Sequence, residues 1–181
     1  MESLDRFLFQ LINSSLSNPL FDNIMPYLTD LHKQASFLKI TLPLLLISWI
    51  LQKRLSAIKI ILALSLCIGC VDIIAYRVLK PIFQRERPPA VEKIINLRTN
   101  RYSGYSFPSN HAANNFAGAT ILSFCYPPLS PIFFSFAGLI ALSRVYVGVH
   151  YPFDVIGGGL LGFFFGLLFI WLIKRFKINL Y

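Results

Sequence analysis

Long apolar runs separated by short polar breaks dominate the chain. Along residues 1–35, Leu4, Phe7, Leu8, Leu11 and Ile12 recur at helical spacing. Asn13, Ser14, Ser15, Ser17, Asn18 and Pro19 then interrupt them, and a second short apolar stretch reaches Leu31. Neither stretch approaches the about 20 apolar residues that a membrane-crossing helix needs, so this segment reads as one or two amphipathic helices lying at the interface. Longer runs follow: 36–51, closed by Lys53 and Arg54; 57–79; 111–126; 132–149, behind the turn that holds Pro127, Pro128 and Pro131; and 152–173, closed by Lys174, Arg175 and Lys177. The pattern predicts an all-α integral membrane helical bundle of five to six transmembrane helices. It forms a single domain over 1–181, with an interfacial segment over 1–35 and a polar loop over 80–109.

Composition agrees. Of 181 residues, 55% are hydrophobic and 14% charged, against about 25% charged in a soluble chain. Glu2 and Asp5 stand where a signal peptide carries basic residues, so the start is not read as one. The net charge of +9 can accompany nucleic-acid binding, but the charges sit between apolar runs rather than along an exposed stripe. They fit membrane topology and an anionic ligand, and no nucleic-acid partner is expected. The turn at 52–56, the proline turn and the C-terminal tail hold basic residues without an acid, which places that side in the cytoplasm. The 80–109 loop and the 149–152 connection then face the exterior or, in a bacterial inner membrane, the periplasm. Cys67 and Cys70, spaced C-x-x-C inside an apolar run, read as two core residues on one helix face rather than a redox pair. Gly158, Gly162 and Gly166, four residues apart, make a smooth strip for close helix packing.

Three polar clusters fall on the proposed outer face: Lys80 to Arg87-Pro88; Pro108-Ser109-Asn110-His111; and Ser143-Arg144, followed by His150 and Asp154. His150 and Asp154 are four apart around Pro152, a residue favoured in a first helical turn. Their side chains can meet there, and a carboxylate holding one ring nitrogen would present the other as a nucleophile. Taken alone, the pair equally describes a structural histidine at a helix start. Ser109 is a natural N-cap, and the helix end it begins favours an anion; His111 in that turn suits either catalysis or a position facing headgroups. Lys80 and Arg87 could grip phosphate oxygens or snorkel at a membrane edge. Arg144 lies within an apolar stretch, where a charge is expensive and usually functional. Asp72 could pair with Lys80 or bond a neighbouring helix. Arg85, Lys93, Arg98 and Arg101 read as a solvated or headgroup-facing loop.

In order and internal spacing the clusters resemble the three signature motifs of the type 2 phosphatidic acid phosphatase (PAP2) superfamily, K-x6-R-P, P-S-G-H and S-R-x5-H-x3-D, with Asn110 where the family usually has glycine. The resemblance covers residues 80–154. It implies a membrane lipid phosphatase in which His150 attacks phosphorus, Asp154 orients it and His111 protonates the leaving oxygen. Lys80, Arg87, Ser109, Asn110 and Arg144 would bind the phosphate. A phosphohistidine forms and water releases it; no metal and no cofactor are expected. Asparagine tolerates unusual backbone angles and adds an amide donor, so the phosphate site should survive the substitution. Lipid A 1-phosphate and undecaprenyl diphosphate are the favoured substrates, with phosphatidylglycerol phosphate and phosphatidic acid as alternatives. Two other classes compete with this reading. A transporter would show paired repeats and helices broken at midplane, and no repeat is visible. A vanadium haloperoxidase of the same superfamily should lack the apolar spans. The partners expected are a lipid phosphate and the bilayer; the sequence carries no signal for oligomeric state.

Overall fold

The computed structural model describes residues 2–31, 39, 42–100, 102–178 and 180. Part of the 36–51 run, and Arg101, lie outside them. No strand occurs among the described residues. Helix α1 (Glu2–Gln10) runs into a π-helical turn (Leu11–Ser15). Helix α2 (Pro19–Thr29) starts where the Asn18 side chain accepts from Phe21 N at 3.0 Å, satisfying one amide the helix end leaves open. Helices α3 (Leu42–Lys53) and α4 (Leu55–Ile73) follow. The latter continues through a π-helical turn (Ile74–Leu79) into α5 (Lys80–Phe83). A single turn, α6 (Pro88–Val91), stands in the polar loop. The bundle closes with α7 (Asn110–Cys125), α8 (Ser130–Tyr146) and α9 (Pro152–Arg175).

Polarity is inverted relative to a soluble protein. Leu66 of α4 and Phe164 of α9 are 63% and 61% exposed, whereas Asp5, Lys80, Arg144 and Asp154 are buried. Water would oppose that arrangement; hydrocarbon requires it. The segments Leu55–Val91, Pro127–Tyr146 and Pro152–Arg175 are long and apolar enough to cross a membrane, and Leu42–Lys53 is a shorter apolar helix. The 111–126 run forms α7. Helix α7 is built largely of Ala, Asn, Gly and Thr, and most of these are buried. It is the central helix, packed between α9, α8 and α4.

The glycine strip permits that packing. A Cβ at Gly162 would overlap the Ala113 carbonyl, one at Gly158 the Ser109 carbonyl, and one at Gly166 would lie 2.5 Å from Thr120 Cβ. Helices α7 and α9 therefore meet backbone to backbone. Alongside, Ile60, Cys67 and Val71 of α4 pack on Ala113, Ala117 and Ile121 of α7. Cys70 is exposed while Cys67 is buried, so the pair does not share a core face: three residues turn the helix by about 300°, enough to bring Cys70 out of the seam.

The N-terminal segment packs on the end of the bundle that carries the polar clusters. Helix α1 exposes Leu4 and Phe7 while burying Asp5 and Phe9. Beyond it, Asn13 is fully buried. Its amide donates to Asn96 O and Tyr146 O, both at 2.9 Å, and its oxygen accepts from Asn96 N at 2.9 Å. One side chain thus pins the polar loop against the end of α8.

Candidate active site

Five segments bring the three clusters together. Lys80 stands where α4 and its π-turn end, and Arg87 precedes α6. Ser109 caps α7, its hydroxyl 3.4 Å from Ala112 N. Arg144 lies in the last turn of α8. A turn ending at Tyr151 then presents His150, and Asp154 lies in the first turn of α9. Gly148 makes the turn possible. Its φ is +86°, and a Cβ there would come within 3.1 Å of Asn96 O, so glycine is required twice over. Ser109 N donates to Asp154 O at 2.9 Å, which locks the second cluster to the third beside Gly158.

A cleft of about 320 Å³ is lined by Lys80, Arg87, Asn110, His111, Arg144 and His150, together with Tyr76, Asn100, Tyr102 and Ser103. Ser109 and Asp154 sit behind this wall. His150 Nε2 lies 3.0 Å from Arg87 Nη1, and His150 Nδ1 lies 3.4 Å from Asp154 Oδ2. The second distance is a close ion-pair approach rather than a closed hydrogen bond. An arginine can only donate, so Nε2 carries the lone pair and Nδ1 the proton. Burial first, and then the charges of Arg87, Arg144 and Lys80, hold His150 well below the ordinary histidine value of 6.5. The free imidazole is thus neutral and its lone pair points into the cleft.

The cations are held by backbone and by neutral oxygens. Lys80 Nζ donates to Tyr105 O at 2.5 Å. Arg87 donates to Gly104 O, Val149 O and Ser103 O at 2.8–2.9 Å. Arg144 Nη1 donates to Thr29 Oγ1 at 2.8 Å, and its Nε has no hydrogen-bond partner among the described residues. None of these three guanidinium or ammonium groups forms a carboxylate ion pair there. Buried positive charge that no carboxylate contacts directly among the described residues is suited to an oxyanion.

Arg85 and Asp72 acquire roles beyond those legible in the chain. Arg85 Nη1 meets Asp154 Oδ1 at 2.7 Å and its Nη2 meets Asp5 Oδ2 at 2.5 Å. Asp5 Oδ1 also accepts from Phe153 N, and Asp154 Oδ2 from Tyr151 N, each at 2.8 Å. Arg85 therefore aims the carboxylate that faces His150 and is not a headgroup-facing loop residue. Arg98 likewise is tied to Asp22 at 2.6 Å and to Ser17 at 2.6 Å. The only sequence signal for Arg85 was the presence of two acids far away in the chain. Asp72 bonds the neighbouring helix: its Oδ1 accepts from Asn110 Nδ2 at 2.8 Å and from Asn114 Nδ2 at 3.1 Å. The amide donor that Asn110 brings to the phosphate motif is thus turned toward Asp72. A second pocket, of about 450 Å³, opens beside the cleft and shares Asn110 and His111 with it.

A helical bundle of inverted polarity thus carries an oriented histidine among buried cations at one end. The chain belongs to the PAP2 superfamily, whose sequence profile matches residues 57–178. It is 30% identical over 131 residues to the lipid A 4'-phosphatase of Bacteroides thetaiotaomicron, a match covering 68% of this chain and 58% of that protein's length. It is 34% identical over 156 residues to the undecaprenyl-diphosphatase of Sulfolobus acidocaldarius, covering 86% and 71%. The crystal structure of Aquifex aeolicus LpxE superposes with a TM-score of 0.71 at 32% identity, over 92% of this chain and 94% of that one.

Proposed function

We propose that the chain hydrolyses a lipid phosphate, lipid A 1-phosphate or undecaprenyl diphosphate, through a phosphohistidine on His150. The observation that carries this reading is the His150 geometry: Nε2 bears the lone pair, faces the cation-lined cleft, and is backed through Nδ1 by Asp154. The substrate phosphate displaces Arg87 from Nε2 and is gripped by Lys80, Arg87, Arg144 and the N-terminal turn of α7 behind Ser109. The Nε2 lone pair forms the N–P bond as the P–O bond breaks. The electron pair goes to the leaving oxygen, and His111 supplies its proton. Water, deprotonated by His111, then attacks the phosphohistidine, and inorganic phosphate leaves. The side chains supply the charge neutralisation, so no metal ion enters a step.

A site at one end of an apolar helical bundle suits a lipid that stays in the bilayer. The basic residues at the other end support an orientation in which the site faces the periplasm or exterior of a bacterial inner membrane. The test is phosphate release in detergent from undecaprenyl diphosphate, lipid A, phosphatidic acid and phosphatidylglycerol phosphate. His150→Ala and His111→Ala should each lower turnover by at least a thousandfold while the protein retains its unfolding midpoint. Turnover near wild type in either variant overturns the mechanism.

A further inference from the structure

The pocket beyond His111 carries information about the leaving group. His150 lines only the cation-rich cleft, whereas His111 and Asn110 line both the cleft and the second pocket. In the reaction proposed above, on which this inference rests, phosphorus sits between the two histidines and the bond that breaks points toward His111. The departing group therefore lies in the second pocket.

The walls of that pocket have a specific polarity. Its polar lining includes Asp72, Asn110 and Asn114, and its apolar lining Leu28, Ile68 and Phe136. A carboxylate only accepts hydrogen bonds, so both asparagines must turn their NH₂ groups to Asp72. The geometry obeys: both Nδ2 atoms point at Asp72 Oδ1. Both amide oxygens are then directed away from it, and each is buried without a hydrogen-bond partner among the described residues. Two buried acceptors of this kind call for donors. The same wall repels an anion, since it combines amide oxygens with a carboxylate.

We propose that this pocket is a leaving-group subsite selecting a glycolipid, a phosphorylated sugar whose hydroxyl and N–H groups lie next to the phosphate. Sugar hydroxyls donate to Asn110 Oδ1 and Asn114 Oδ1 after small rotations of the amides, whose terminal torsions are soft. Acyl chains pack on the apolar lining of Leu28, Ile68 and Phe136. A polyprenyl diphosphate releases a phosphate monoester instead, an acceptor-only dianion that meets acceptors and Asp72. A site built to pair with hydroxyls discriminates strongly against a group that lacks them. Asn114 is accordingly a specificity-determining residue, one helical turn beyond the motif that ends at His111.

The experiment compares kcat/KM of the full-length protein in one detergent on lipid A, phosphatidic acid and undecaprenyl diphosphate. Wild type should prefer lipid A at least tenfold over each of the others. Asn114→Leu should cut the ratio of lipid A to phosphatidic acid at least tenfold. Each ratio is taken within one preparation, so lost folded protein cancels; Asn114→Ala serves if the leucine variant does not fold. Asp72→Asn should raise undecaprenyl diphosphate relative to lipid A. An undiminished ratio in the Asn114 variants, or a wild-type preference for the diphosphate, overturns the subsite while leaving the phosphatase reading standing. No turnover of any of the three overturns both.

Discussion

At the scale of single residues, the proposed chemistry depends on a neutral His150. Burial and the three nearby cations lower its proton affinity, and the sign of the consequence is definite. Below pH 6.5 an ordinary histidine gains a proton and loses its lone pair; this one keeps the lone pair to lower pH. The acid limb of kcat/KM, which reports the free enzyme, should therefore fall well under 6.5 where it is governed by His150. Titration of the His150 ring by nitrogen NMR checks the assignment, and a ring that protonates near 6.5 contradicts it. The same depression costs stability in acid. The unfolded chain binds a proton as pH drops through 6.5 and the folded chain does not, so stability declines from there downward.

At the scale of elements, the α7–α9 seam is the feature on which the site's geometry rests. Backbone contact at Gly158, Gly162 and Gly166 lets the cap of α7 reach Asp154 O. Gly162→Leu would push the helices apart near their middle. Overpacking of this kind costs about 1–3 kcal/mol, to be read as a lowered unfolding midpoint in detergent, together with a lower kcat because Ser109 and His111 shift from His150. Helix α7 shows what hydropathy alone leaves unread. An apolar run of 111–126 made of small residues looks like any span, but small side chains are what a central helix needs in order to touch three neighbours. The distinction lies in residue size rather than in hydrophobicity.

At the scale of the molecule, the N-terminal segment is tied to the candidate site. Asp5, Arg85 and Asp154 form one buried chain of ion pairs across three elements far apart in sequence. Asn13 and Arg98 bind the same segment to the polar loop and the end of α8. Arg85→Met would leave two buried carboxylates without a cation, at a cost of about 3–5 kcal/mol. Asp5→Asn should cost less, because Arg85 keeps Asp154. The double variant should lose less than the sum of the two, which a double-mutant cycle on unfolding midpoints measures. Strict additivity would mean that Asp5 and Arg85 act independently.

Composition and the period of the apolar runs, read from the sequence, were sufficient for an all-helical membrane bundle, and the spacing of the three clusters was sufficient for the family and for His150, His111, Asp154, Lys80, Arg87 and Arg144 as its candidates. Those signals are local: a motif is a set of neighbours along the chain, and its spacing survives without knowledge of the fold. Asp5, Arg85 and Asp72 had no such neighbours. Arg85 looked like any loop cation until folding placed it between two acids, and Asn110 looked like a phosphate donor until Asp72 claimed its amide. Partners brought together from distant segments are decided by tertiary packing, because a hydrogen bond depends on distance in space and not on separation in sequence.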